Sequence, residues 1–105
     1  MIRHHVAGAI VAGCFATGAL AQGSDMTLAR DVAASCSNCH GTDGRSVGTV
    51  PSLAGMSKAD LVSRMEEFKS GKRTGTIMPQ LAKGYTDLQI ERAAAFFASQ
   101  PVPAK

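Results

Sequence analysis

Cys36-Ser37-Asn38-Cys39-His40 is the stretch on which the reading of this chain turns. Two thiols three positions apart, followed at once by an imidazole, form C-x-x-C-H, the attachment signature of a c-type haem. Residues three apart share one face of a helical turn, so both thiols can add to the two vinyl groups of one porphyrin as thioethers. The adjacent imidazole then lies under the ring. One of its nitrogens can bind iron while the other donates to an oriented acceptor. Other readings of these residues fit less well. A thioredoxin-like C-x-x-C belongs in a βαβ context, and no β-rich run surrounds it. A structural zinc site needs four ligands, usually from a second Cys or His pair, and no Cys or His follows His40. A Cys36–Cys39 disulfide would leave His40 without a role.

The chain has 105 residues, room for one small domain. A basic start, Met1 to His5, is followed by an apolar, small-residue run from Val6 to Leu20, and Ala19-Leu20-Ala21 forms an A-x-A cleavage site. Residues 1–21 therefore read as a secretory signal peptide, which places the mature chain in the periplasm. The apolar run is too short and Gly-rich for a membrane span. Val11-Ala12-Gly13-Cys14 offers a second possibility, a lipoprotein processing box, though cleavage there would leave a very short signal. Residues 22–105 then form the domain. They carry 10 basic against 8 acidic side chains, a net charge of +2, which two ionised haem propionates would nearly cancel. This balance, and the lack of an aromatic-plus-basic pattern, argue against nucleic-acid binding.

Leu, Ile, Val and Phe make up 15 of these 84 residues, about 18%, a thin core by the standard of globular chains. Small scaffolds with thin cores need a staple, and a covalent haem is one. Ser24 and Asp25 predict the start of a first helix, with Leu28 and Val32 on its buried face beside Ala29, Ala33 and Cys36. Gly41 ends it. Residues 41–56 are Gly- and Pro-rich and predict a loop, in which the Pro51 carbonyl could accept the second N–H of His40 or Pro51 could simply pack. Ser57-Lys58-Ala59-Asp60 predicts a helix N-terminus, with Leu61, Val62, Met65 and Phe68 as its apolar stripe and Gly71 as its end. A second loop is expected over 71–85. Thr86-Asp87-Leu88-Gln89 opens a last helix to about Ser99, with Leu88, Ile90, Ala94, Phe96 and Phe97 on its apolar side.

With no second histidine in the domain, methionine is the natural sixth iron ligand. Four remain: Met26, Met56, Met65 and Met78. Met26 is too near the motif in sequence to cross the ring easily, Met56 abuts the helix cap at Ser57, and Met65 belongs to an apolar stripe, where Met is usually core. Met78 lies in the second loop, ahead of Pro79, which fixes the backbone after it. Met78 is the preferred ligand.

With these residues in place, the domain resembles class I cytochromes c, the small His/Met type. Within that group it is most similar to the single-haem cytochrome subunit of flavocytochrome c sulfide dehydrogenase. The similarity rests on CSNCHGTDG (36–44), PSLAG (51–55), MEEFKSGKR (65–73) and LAKGYT (81–86). The resemblance implies an all-α fold, three main helices wrapped around one covalent haem c, the first and last crossing over it. It implies Cys36 and Cys39 as thioether sites, His40 as proximal and Met78 as distal ligand, and Pro51 as the acceptor that orients His40. Met56 departs from the Gln or Lys common after PxLAG, which keeps it as a rival ligand. The function implied is electron transfer from a partner flavoprotein (FAD) that oxidises sulfide, with other redox proteins as acceptors and no catalysis by this chain itself. A free shuttle between respiratory complexes is the alternative, and a haem peroxidase or gas-binding protein the third. Lys69, Lys72, Arg73 and Lys83 flank the Met78 loop as a solvated basic face or as docking charge around a haem edge.

Overall fold

The structure, a computed structural model, describes the backbone from residue 20 and the side chains from residue 25. Cys14 and all of the expected signal peptide except Leu20 and Ala21 lie outside the described residues. Four α-helices follow in order: α1 (Leu20–His40), α2 (Lys58–Ser70), α3 (Met78–Ala82) and α4 (Asp87–Ala98). A 3-10 turn, Thr42–Gly44, follows directly on α1. Among the described residues there is no strand, and no helix is long and apolar enough to cross a membrane.

Helix ends sit where side chains specify them. The Ser57 hydroxyl accepts from the Asp60 N–H and opens α2, while Gly71, at φ 81°, closes it in the left-handed conformation that glycine adopts without strain. Thr86 and Gln89 form a reciprocal capping box at the start of α4. The start of α1 differs from expectation. Ser24 and Asp25 lie inside the helix, which begins at Leu20. Nothing between Leu20 and Asp25 terminates it, since Ala and Gln are good helix formers and one glycine is tolerated. Asp25 instead pairs with Arg92 of α4 at 2.6 Å. The region 71–85 is also more ordered than expected: α3 stands within it, with Pro79 in its first turn, where a missing N–H costs nothing.

The buried centre is built largely from alanine. Ala33 of α1 meets Leu61 of α2 and Ala93, Ala94 and Phe97 of α4. On α1 the buried face is Ala29 and Ala33, and Leu28, expected to be buried, is 39% exposed. On α4 the buried set is Ile90, Ala93, Ala94 and Phe97, and Leu88 points outward. Small residues on both faces let α1 and α4 approach closely. Leu61, Ile90 and Phe97 are the large side chains buried among the described residues, so the thin core inferred from composition is a physical fact of the fold.

The loop after α1 is pinned to this core. Gly44, at φ 77°, is buried, and its carbonyl accepts from the N–H groups of both Leu53 and Ala54. A Cβ at position 44 would stand 2.7 Å from the Phe97 ring and 2.9 Å from the Ala54 nitrogen. The Gly55 N–H donates to the Phe97 carbonyl at 2.9 Å. Residues 51–55 are thereby held against the end of α4.

Candidate functional site

The last turn of α1 borders an apolar cavity of about 480 Å³, within the range of cofactor sites. Cys36, Cys39, His40, Pro51 and Met78 all line it, so one space collects the residues singled out by the sequence from three separate segments. Leu61, Phe68, Ile90 and Phe97 form much of the apolar wall.

Cys36 and Cys39 stand one helical turn apart, the first half-buried and the second exposed. Burial pushes the Cys36 thiol above its ordinary range. Among the described residues no group of three or more His, Cys, Asp or Glu side chains could hold a metal ion. The donor set suits a porphyrin that brings its own four nitrogens.

His40 Nδ1 lies 2.6 Å from the Pro51 carbonyl oxygen. A carbonyl only accepts, so Nδ1 carries the proton and donates. The Nε2 lone pair is thereby left free, the tautomer that a metal-binding imidazole needs. The acceptor is a backbone atom in a segment fixed by Gly44 and Phe97, so the ring orientation is set by the fold of the chain.

Three methionines border the cavity: Met56, Met65 and Met78. Met26 is 60% exposed on α1 and does not. Met56 packs against the Ala33–Leu61–Phe97 core. Met65 sits in the middle of α2, and Met78 is the first residue of α3.

The basic face is only partly free. Arg73 is bound to Glu67 at 2.8 Å and lies over the Phe68 ring, and Lys69 pairs with Asp87 while donating to the Tyr85 carbonyl at 2.6 Å. Lys72 and Lys83 are exposed, with no ion pair among the described residues. Val50, Ile77 and Leu81 form an exposed apolar lip at the cavity. Sequence reasoning misses Val50 and Leu81 in this role, and also the contact between Ser35 and Tyr85, whose side chains meet at 2.7 Å from positions 50 residues apart. Nothing local in the sequence could signal that pair.

A family model for cytochrome c matches residues 28–101. The chain belongs to the cytochrome c family, and its prosthetic group is one covalent haem c, for which Cys36 to His40 is the attachment motif. It is 43% identical over 65 residues to the cytochrome subunit of sulfide dehydrogenase from Chlorobaculum tepidum, covering 62% of this chain and 59% of the relative. It is 38% identical over 85 residues to cytochrome c4 of Pseudomonas aeruginosa, covering 80% of this chain and 42% of the relative. To cytochrome c-554(548) of Halomonas halodenitrificans it is 34% identical over 80 residues, covering 72% of this chain and 96% of the relative. The chain thus spans about half the length of the first two.

Proposed function

We propose that residues 22–105, released from a leader ending at Ala21, form a periplasmic electron carrier that accepts electrons from a flavoprotein oxidising sulfide. The observation that carries the site assignment is the His40–Pro51 hydrogen bond, which frees Nε2 beside two thiols in an apolar cavity. The haem, once attached, supplies a one-electron iron couple. Everything else is the work of the chain. Cys36 and Cys39 anchor the ring and offset the thin core. His40, oriented by Pro51, is the proximal ligand. Met78 is the distal ligand, favoured over Met56, which is committed to core packing, and over Met65, which is held mid-helix. Around a bound haem the apolar wall would exclude water, so little solvent would have to reorganise when the iron changes charge.

The sulfide-oxidising partner is supported by the similarity to the sulfide dehydrogenase subunit. The lip of Val50, Ile77 and Leu81 is the surface it would meet, with Lys72 and Lys83 near it in sequence, beside the cavity-lining Arg73 and Leu81. A free carrier is the second reading, favoured by the match along nearly the whole of cytochrome c-554(548). Purification of the native protein from the periplasm decides between them. Co-elution of a flavin with the haem supports the complex, whereas a cytochrome that elutes alone at low micromolar concentration and reduces several acceptors equally is a free shuttle.

A further inference from the structure

The element that carries Met78 is held by packing, with Ala82 fully buried, and not by polar ties of its own. α3 has five residues and no side-chain cap at Ile77, far below the length at which a helix sustains itself. Among the described residues, no hydrogen bond or ion pair joins residues 74–84 to another element; their bonds are internal, from Gln80 and Leu81 to Ile77 and from Gly84 to Leu81. Polar ties occur at the two ends. Arg73 is bound to Glu67 of α2 through its side chain, and its N–H donates to the Glu67 carbonyl at 3.0 Å. Tyr85 holds the other end. Its carbonyl accepts from Lys69 of α2, and its phenol meets Ser35 of α1 at 2.7 Å.

The direction of that last bond follows from valence. The single Ser35 hydroxyl hydrogen points to the Val32 carbonyl, 2.7 Å away. Ser35 Oγ must therefore accept, and Tyr85 donates. Ser35 immediately precedes Cys36, and both Ser35 and Tyr85 line the cavity. We infer that Tyr85 is a positioning residue for the distal iron ligand: its phenol clips the segment that carries Met78 to the helix that carries Cys36, Cys39 and His40. The inference rests on Met78 being that ligand. Filling the cavity removes water from one side of the Tyr85–Ser35 bond, and a bond with less competing solvent holds more firmly. Loss of the clip frees the Tyr85 end of the segment from α1, so the thioether would leave the iron more often.

The test uses the haem-loaded protein in the ferric state, mixed with cyanide, and follows the rate of the spectral change in wild type, Y85F, S35A, the double variant and M78A. Cyanide enters only when the distal ligand departs, so M78A should be fast. Y85F and S35A should each accelerate entry about fivefold, the effect of one modest hydrogen bond. The double variant should be no faster than either, since both remove the same contact. Y85F should also shift the reduction potential in the direction of M78A, by less. If Y85F takes cyanide at the wild-type rate and keeps its potential, even with a lowered melting temperature, Tyr85 is a packing residue and the inference is overturned. If M78A is no faster than wild type, the assignment of Met78 fails and the inference falls with it. A fast M78A beside an unchanged Y85F overturns the clip alone.

Discussion

The segment that presents His40 and the segment that presents Met78 are held by different kinds of contact. His40 ends a 21-residue helix, and its ring is oriented by a backbone carbonyl in a loop tied to Gly44 and Phe97. Met78 opens a five-residue helix with polar ties at the ends of its segment and an exposed neighbour, Ile77, beside it. The His40 side is thus fixed through the backbone of the fold. The Met78 side rests on packing and on polar ties at the ends of its segment. If the two sides are the ligand positions proposed above, a rigid His40 side would keep the haem fixed, while the looser Met78 side would tune the iron.

The comparison breaks most completely when the anchor is removed. C36A/C39A should abolish covalent haem and leave a chain with no cooperative thermal transition by circular dichroism, because alanine dominates the buried core. An apoprotein with native helix content and a sharp melt would show that the core suffices by itself. Next comes the support behind the His40 side. G44A places a Cβ against Phe97 and Ala54 at a positive φ, and should cost about 3 kcal/mol, or roughly 15 °C in melting temperature. A holoprotein melting within a few degrees of wild type would mean that the loop repacks freely.

On the Met78 side, M78A should keep covalent haem but lower the reduction potential by on the order of 0.1 V, since thioether ligation favours ferrous iron. An unchanged potential would move the assignment to Met56. At the lip, I77D should weaken binding to the flavoprotein about tenfold, chiefly in the off-rate, whereas K72E or K83E should slow association a few-fold, most at low salt. Equal effects on both rates from both classes of change would argue against an apolar centre with a charged margin. The smallest effect belongs to P51A. The acceptor is a backbone carbonyl, which alanine retains, so the potential should stay put and stability should fall by about 0.5–1 kcal/mol through greater freedom of the unfolded chain.

Much of this molecule was legible in its sequence, for reasons that differ by region. C-x-x-C-H is local, and its chemistry needs no tertiary context. The ends of α2 and α4 are written in side chains that bond to their own backbone, Ser57, Thr86 and Gln89, and in one glycine, Gly71. α3 escaped because glycines and Pro79 dominate its surroundings, although proline in a first helical turn is itself a start signal. Leu28 and Leu88 misled because the close α1–α4 contact selects alanine rather than bulk. Two of the four basic residues expected at the rim, Lys69 and Arg73, are engaged by Asp87 and Glu67, partners 18 and 6 residues away. The Tyr85–Ser35 contact is farther still, and no pattern along the chain encodes it.

The central claim is that His40 and Met78 hold one haem between them, and the methionine methyl resonances of the reduced holoprotein test it most directly. With methyl-labelled methionine, one signal should lie far upfield of the others, shifted by the ring current of the porphyrin above which an iron-bound thioether methyl sits. M78L should abolish that signal, while M56L and M65L should leave it in place. An upfield methyl that survives M78L, or one that vanishes in M56L or M65L, would contradict the account.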